Sequence, residues 1–457
     1  MSHSADSPRE TFVCIHGHFY QPPREDPLTG LVPRELGAEP YANFNEKITA
    51  ECYRPNAELG NFRRLSFDIG PTLATWLSTN ASDVLASIVE SDVGNAFAQA
   101  YSHSILPLAT RRDKTTQVRW GMADFKHRFK RAPRGMWLPE CGVDHETLEV
   151  LAENGIEFTI LAPSQAATAD VDVGRPYRVP IAGERSMVVF FFDPGLSGEV
   201  SFNPDATRDA AAFASSRFDA DRPLSLIASD GELYGHHQRG REHFLHDLLF
   251  QEVEAVGRTV IHPAAYLDRF GAADAVEIVD RSSWSCAHGI DRWSTGCSCT
   301  AGDSSWKRVV RQALDALTGD LDAVYEREGG ALLLDPWLAR DTYVQVLLGE
   351  RALAAFLATH RGRDLSPEDE WRAGLLLEAQ VYGQRMHTSC GLFWDDLSGL
   401  EMRNNLAYAA MAIRCIEQAS GVALGSVFRD RLRDAWSAQS GRNGTEIYDE
   451  IDRARLR

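Results

Sequence analysis

Three short segments combine residue types that do chemistry with spacings that place them on one side of the backbone. The first is His16-Gly17-His18, followed shortly by Gln21-Pro22-Pro23. Histidines two apart at the end of a strand point the same way, and the prolines hold the Gln21 amide rigid. Such a set suits gripping sugar hydroxyls. A metal pair is the sharper alternative, but it needs a third ligand and acidic partners that this segment lacks, and structural histidines are the plain one. The second segment is Trp137-Leu138-Pro139-Glu140, where Glu140 ends a buried run. A carboxylate is costly to bury unless paired, which points to function rather than surface decoration. The third is Ser229-Asp230-Gly231-Glu232, running on to Tyr234-Gly235-His236-His237. Asp230 and Glu232 share a face, and the two glycines let the backbone turn tightly beside a ligand. Alone, an Asp-x-Glu at a strand end serves equally well to cap the next helix.

A fourth segment places Cys286, His288, Cys297 and Cys299 close together in the chain. Four soft ligands suggest zinc. Against this, Cys-x-His and Cys-x-Cys lack the two-residue gap with which a chain commonly wraps a tetrahedral ion. Cys52, Cys390 and Cys415 read as buried reduced thiols, because eight cysteines in 457 residues are too sparse for a disulfide scaffold.

The elements that must position these residues follow from patterning. Apolar runs at Phe12 to Ile15, Leu65 to Ile69, Ala96 and Phe97, Gly135 to Leu138, Phe158 to Leu161, Met187 to Phe192 and Leu224 to Ala228 are separated by room for crossover helices. That spacing predicts parallel strands in an α/β barrel or wound sheet. Several runs end in polar clusters (His16 and His18, Glu140, Asp193-Pro194, Asp230), and strand C-termini are where such folds build active sites. From about residue 304 apolar residues recur at helical spacing, so the chain is expected to divide into an α/β barrel over 11–275, an irregular linker over 276–303 and a helical region over 304–457. Within the last, Asp335-Pro336 reads as an N-cap and first helical residue, while Gln384 to Asp396 breaks periodicity and suggests a loop returning to a cleft.

Composition narrows the class of function. With 44% hydrophobic and 25% charged residues, the chain is neither disordered nor fibrous. Its 47 basic against 65 acidic residues give a net charge of −18, which disfavours nucleic acid as main partner. The longest apolar run, Leu406 to Ile413, is far short of the ~20 residues that cross a bilayer, and the N-terminal stretch lacks a signal peptide's apolar region. A cytoplasmic protein without membrane partners is expected.

Taken in order, His18-Phe19-Tyr20-Gln21-Pro22-Pro23, Tyr101-Ser102-His103 through Pro107-Leu108, Trp137 to Glu140 and Ser229 to His236 resemble the sequence regions of glycoside hydrolase family 57. The resemblance covers roughly residues 11–420. It implies a seven-stranded irregular (β/α) barrel followed by a helical domain, and retaining chemistry on α-glucans or maltooligosaccharides. By position, Glu140 matches the nucleophile and Asp230 the general acid/base, with Glu232 as the rival acid. His16, His18 and His103 match sugar-contacting positions. The first motif departs by inserting Phe19 and Tyr20 before Gln21, which leaves the roles of His16 and His18 open. Gln21, Trp137, Glu232 and His236 complete the expected substrate-binding set. The family also places Trp and Gly residues of the linker in its cleft, so Trp284 and Trp293 are expected to offer flat apolar surface to a pyranose, on a loop with reduced cysteines. Neither a cofactor nor a metal is expected. Retention asks for two carboxyl groups ~5–5.5 Å apart, one ionised and one protonated, and two strand ends facing across a barrel rim can supply them. A glucan-binding protein without strong catalysis, and a metal-dependent hydrolase built on the histidine pairs, are the competing readings.

Overall fold

Each of the seven buried apolar runs forms a strand in the computed structural model, which describes residues 10–27 and 29–454. In chain order the strands of the α/β part are β1 (Phe12–Phe19), β2 (Ser66–Ile69), β3 (Ala96–Gln99), β4 (Met136–Trp137), β5 (Phe158–Leu161), β6 (Tyr177–Ile181), β7 (Arg185–Phe191), β8 (Leu224–Asp230) and β9 (Thr259–Val260). All eight residues of β1 are buried, as a parallel strand covered on both faces requires. The sequence pattern misses β6, whose residues alternate buried and exposed, and β9, which is two residues long.

The main sheet has six strands in the order β4-β3-β2-β1-β8, with β9 also paired to β1. Every pairing in it is parallel. A second sheet orders β5-β7-β6, with β6 antiparallel to β7, and a single parallel bridge joins Gly135 to Phe158 at its start. The α/β class with a parallel sheet and a helical C-terminal region is therefore present. The ladders, however, run as six strands and three, in place of the expected seven in one barrel. The main sheet is strongly curled: the Trp137 ring of β4 stacks on His16 and His18 of β1, with centroids 4.9 and 5.1 Å away, although β2 and β3 lie between them in the ladder.

The chain forms two compact units, each assembled from three stretches. The first takes the described residues up to 21, with 34–99 and 128–284, and contains both sheets. The second takes the described residues of 22–33, 100–127 and 285–457. Its centre is a set of long helices, Trp306–Gly330, Pro367–Arg385 and Leu400–Ser420, packed through Leu314, Leu317, Leu376, Leu406 and Ile413, all buried. Helix starts follow the sequence signals. Asp335 accepts from the Leu338 N–H with Pro336 as first residue of Pro336–Thr342, and Ser366 and Asp369 form a reciprocal capping box. The helical periodicity breaks where expected, between Arg385 and the short turn Cys390–Phe393. Among the described residues no helix is long and apolar enough to cross a membrane.

Candidate active site

The C-terminal ends of β1, β2, β3, β4 and β8 bring the first unit's polar residues together. Register aligns His18 with Asp68 on one side and with Asp230 on the other, and Gln99 with Trp137. At the centre is Asp68, fully buried in β2. It accepts from His16 Nε2 at 3.1 Å, His18 Nδ1 at 2.9 Å and the Gln99 amide at 2.8 Å. Burial alone would push this carboxyl up, but the His18 charge and the two histidine hydrogen bonds outweigh it and hold Asp68 below its usual value. Burial likewise pulls on His18, yet the Asp68 charge and hydrogen bond, with Asp230 and Glu232 beyond, raise it to about 9. His16 goes the other way, because its desolvation exceeds what Asp68 returns. It is 0% exposed, between the Ser66 hydroxyl and the Trp137 ring.

Glu140 lies three residues past β4 on a backbone at φ 57°, ψ 22°, and Cys141 follows with φ 49°. Two successive non-glycine residues in the left-handed region are a local strain of the kind that surrounding structure must impose. The imposition here is from Trp284: its backbone N–H donates to the Glu140 carbonyl at 3.1 Å and its indole N–H to the Glu140 carboxylate at 3.1 Å. The Trp284 ring in turn meets Trp137 edge-on at 5.1 Å. Trp137 is wholly buried, and its indole N–H has no hydrogen-bond partner among the described residues.

Asp230 is the exposed last residue of β8. Glu232 follows in a buried turn, where it accepts from the Tyr53 hydroxyl at 2.6 Å and the Tyr20 N–H at 3.2 Å. Burial, reinforced by the Asp230 charge, lifts Glu232 to about 7 against the opposing Tyr53 hydrogen bond. Gln21 hydrogen-bonds the same Tyr53. The turn is possible because Gly231 packs against the Phe19 ring, where a Cβ would sit 2.4 Å away, and Gly235 has φ 132° with its would-be Cβ 2.2 Å from the Glu51 carbonyl oxygen. His236 is held by Glu51 at 2.6 Å. The charges of Glu140, Asp68 and Asp230 all act on the Cys141 thiol, which burial raises first and most.

Two expected residues belong to the second unit. His103 is buried, with φ 53° and its Nδ1 2.6 Å from the Ser389 hydroxyl. Trp293 is 1% exposed, against Phe393, so its faces are taken up in the core of that unit. Neither the His16-His18 pair nor His236-His237 joins a metal-competent cluster among the described residues; the group that does converge is Cys286, His288, Cys297 and Cys299. Sequence reasoning missed Asp68, Gln99 and Tyr53. A signal for Asp68 was available: it is an acid inside the apolar run Leu65 to Ile69.

Comparison with known proteins bears on the family and the fold. Residues 303–455 match a domain of unknown function, DUF3536. An alpha-amylase of Pyrococcus horikoshii is 25% identical over 210 residues, 43% of this chain, so the match spans about a third (32%) of that relative's length. An exo-type maltose-forming amylase from Pyrococcus sp. ST04 superposes with a TM-score of 0.73 at 16% identity, over 98% of this chain and 91% of its own. A branching enzyme from Pyrococcus horikoshii does so with a TM-score of 0.62 at 14% identity, over 98% and 95%. At such identities these two share the fold. The sequence model of glycosyl hydrolase family 57 matches residues 12–279, more than half of the chain, and with the strand-end carboxylates on one edge of its parallel sheet this protein belongs to that family.

Proposed function

We propose that the protein cleaves or transfers α-glucosidic linkages of α-glucans or maltooligosaccharides with net retention, through a covalent glycosyl intermediate on Glu140. The observation on which this rests most is the clamped Glu140. Two hydrogen bonds from Trp284 fix its strained backbone and one carboxylate oxygen, which holds the nucleophile in one orientation. Asp230, exposed at the end of β8, donates the proton to the leaving oxygen and then withdraws one from water or from a sugar hydroxyl. Glu232 is a positioning residue: its oxygen is committed to Tyr53 and Tyr20, and its proton affinity sets the charge beside Asp230. His18, cationic at neutral pH, contacts the sugar, with the wholly buried Trp137 ring stacked behind it and His16 holding Asp68.

The amylase and branching-enzyme relatives support an α-glucan substrate, and hydrolysis and transfer diverge only in whether water or a hydroxyl reaches the intermediate first. The test is a product profile from maltoheptaose and amylose, with the anomer formed first read by proton NMR. Retention gives the α-anomer. Glu140→Gln should lower turnover by at least about a thousandfold while the protein still binds maltoheptaose. Initial β-anomer, or wild-type turnover by that variant, overturns the assignment. Binding without turnover by the wild-type chain makes it a glucan-binding protein instead.

A further inference from the structure

The segment after Trp284 has little regular structure beyond one turn of 3-10 helix, Asp291–Trp293, yet it folds back on itself tightly. The Gly289 N–H bonds the Cys286 carbonyl, and the N–H groups of Thr295 and Gly296 both bond the Asp291 carbonyl. Gly296 has φ 84°, and a Cβ there would lie 2.4 Å from the Ser304 carbonyl oxygen. These turns converge four side chains whose spacing along the chain lacks the two-residue gap of common zinc sites. Cys286 Sγ lies 3.6 Å from Cys297 Sγ and 3.7 Å from Cys299 Sγ, and His288 Nδ1 lies 3.3 Å from Cys299 Sγ. All four ligand atoms fall within 4.8 Å of one another.

Those separations fit a metal tetrahedron better than any pairing of thiols. With Zn–S near 2.3 Å and Zn–N near 2.0–2.1 Å, tetrahedral edges come to about 3.8 Å between sulfurs and about 3.5 Å between sulfur and nitrogen. A disulfide would join one pair at about 2.05 Å and leave the third thiol and the imidazole without purpose. Here one thiol is equidistant from two others. We infer that Cys286, His288, Cys297 and Cys299 form a structural zinc site of the Cys3His type. Three thiolates and one imidazole select a soft, tetrahedral divalent ion, and four protein ligands close the coordination sphere, so the ion staples the loop and does no chemistry. Cys286 is buried under the site, while His288 and Cys299 are exposed and give the ion a way in. Three thiolates and one zinc leave a net charge of −1. The Lys307 ammonium, itself held 3.1 Å from Asp395, is within electrostatic reach of Cys297 to offset it.

The full-length protein, purified without chelators, should contain one zinc per chain by elemental analysis, released by a mercurial that titrates its thiols. Cobalt exchanged into the site should give the intense visible bands of a tetrahedral ion and a thiolate-to-cobalt charge-transfer band. Cys299→Ser and Cys297→Ser should each lose at least nine-tenths of the bound zinc, while Cys415→Ser retains it. Because Cys299 is exposed, its replacement leaves the fold intact by circular dichroism. Zinc at trace level with no cobalt spectrum, wild-type zinc content in Cys299→Ser, or a disulfide among these cysteines in peptides mapped without reductant would each overturn the site.

Discussion

At the residue scale the centre of the first unit is a buried carboxylate that holds two histidines. Asp68 is paired three ways with no solvent to replace any partner, so Asp68→Asn should destabilise the protein by about 3–5 kcal/mol in urea unfolding. The sign of the pH dependence follows from the shifts. His18 is raised from 6.5 to about 9, so its contribution is complete below pH 6.5 and is lost as pH rises through 9. Asp68 is lowered from 3.8, so its contribution is present above that value and is lost as pH falls through the depressed one. Glu232 adds a spectroscopic reading. Its carboxyl carbon should titrate near pH 7, moving down in Asp230→Asn, which removes a repelling charge, and up in Tyr53→Phe, which removes the hydrogen bond that favours its ionised form. A midpoint near 4.5 in the wild type, or one that ignores both substitutions, would mean that the two acids do not share a site.

At the scale of elements, positioning depends on how strands end. β8 passes into a turn that only glycine allows at 235, because the backbone takes φ 132° and the Glu51 carbonyl occupies the side-chain direction. Glu51 and Tyr53 belong to the π-helical turn Thr49–Tyr53, which widens the helix there and delivers the Tyr53 hydroxyl to Glu232. Gly235→Ala therefore meets both strain and collision, and should cost about 2 kcal/mol or more in urea unfolding and disturb the His236–Glu51 pair. Gly421→Ala is the comparison: its φ of 74° makes the milder left-handed demand, nothing lies within 4 Å, and the cost should stay near 1 kcal/mol. Equal costs at the two positions would remove both the added strain and the close packing from the account of the β8 turn.

For the whole molecule, charge separates substrate classes. A chain of net charge −18 repels polyanions but is indifferent to a neutral glucan. For amylose or maltoheptaose, kcat/KM should change by less than about twofold between 20 and 500 mM salt, since no charge on the substrate is screened. A steep change with salt would mean that the protein's own charges, and not the uncharged glucan, govern binding or turnover. Along the sequence the stretches of the two units alternate: residues 22–33 and 100–127 belong with the C-terminal helices although they lie inside the α/β stretch of the chain.

The sequence by itself determined the seven buried strands, the helical C-terminal region, its helix start at Asp335-Pro336, and the strand-end segments where Glu140, Asp230, His16 and His18 lie. All of these are local: burial of a whole strand, helical periodicity and turn chemistry are written in runs of adjacent residues. Tertiary structure alone decided which partners these residues meet. Asp68 gained its role from β2 lying beside β1, and Tyr53 from a turn packing under Glu232. The left-handed backbone of Glu140 depends on Trp284, which is 144 residues away in sequence. The cysteines and histidine of 286–299 show the limit most plainly. Their spacing argued against a tetrahedral site because spacing counts residues along a chain, whereas the approach of their four ligand atoms to within 4.8 Å of one another depends on where turns such as that at Gly296 return the chain in space.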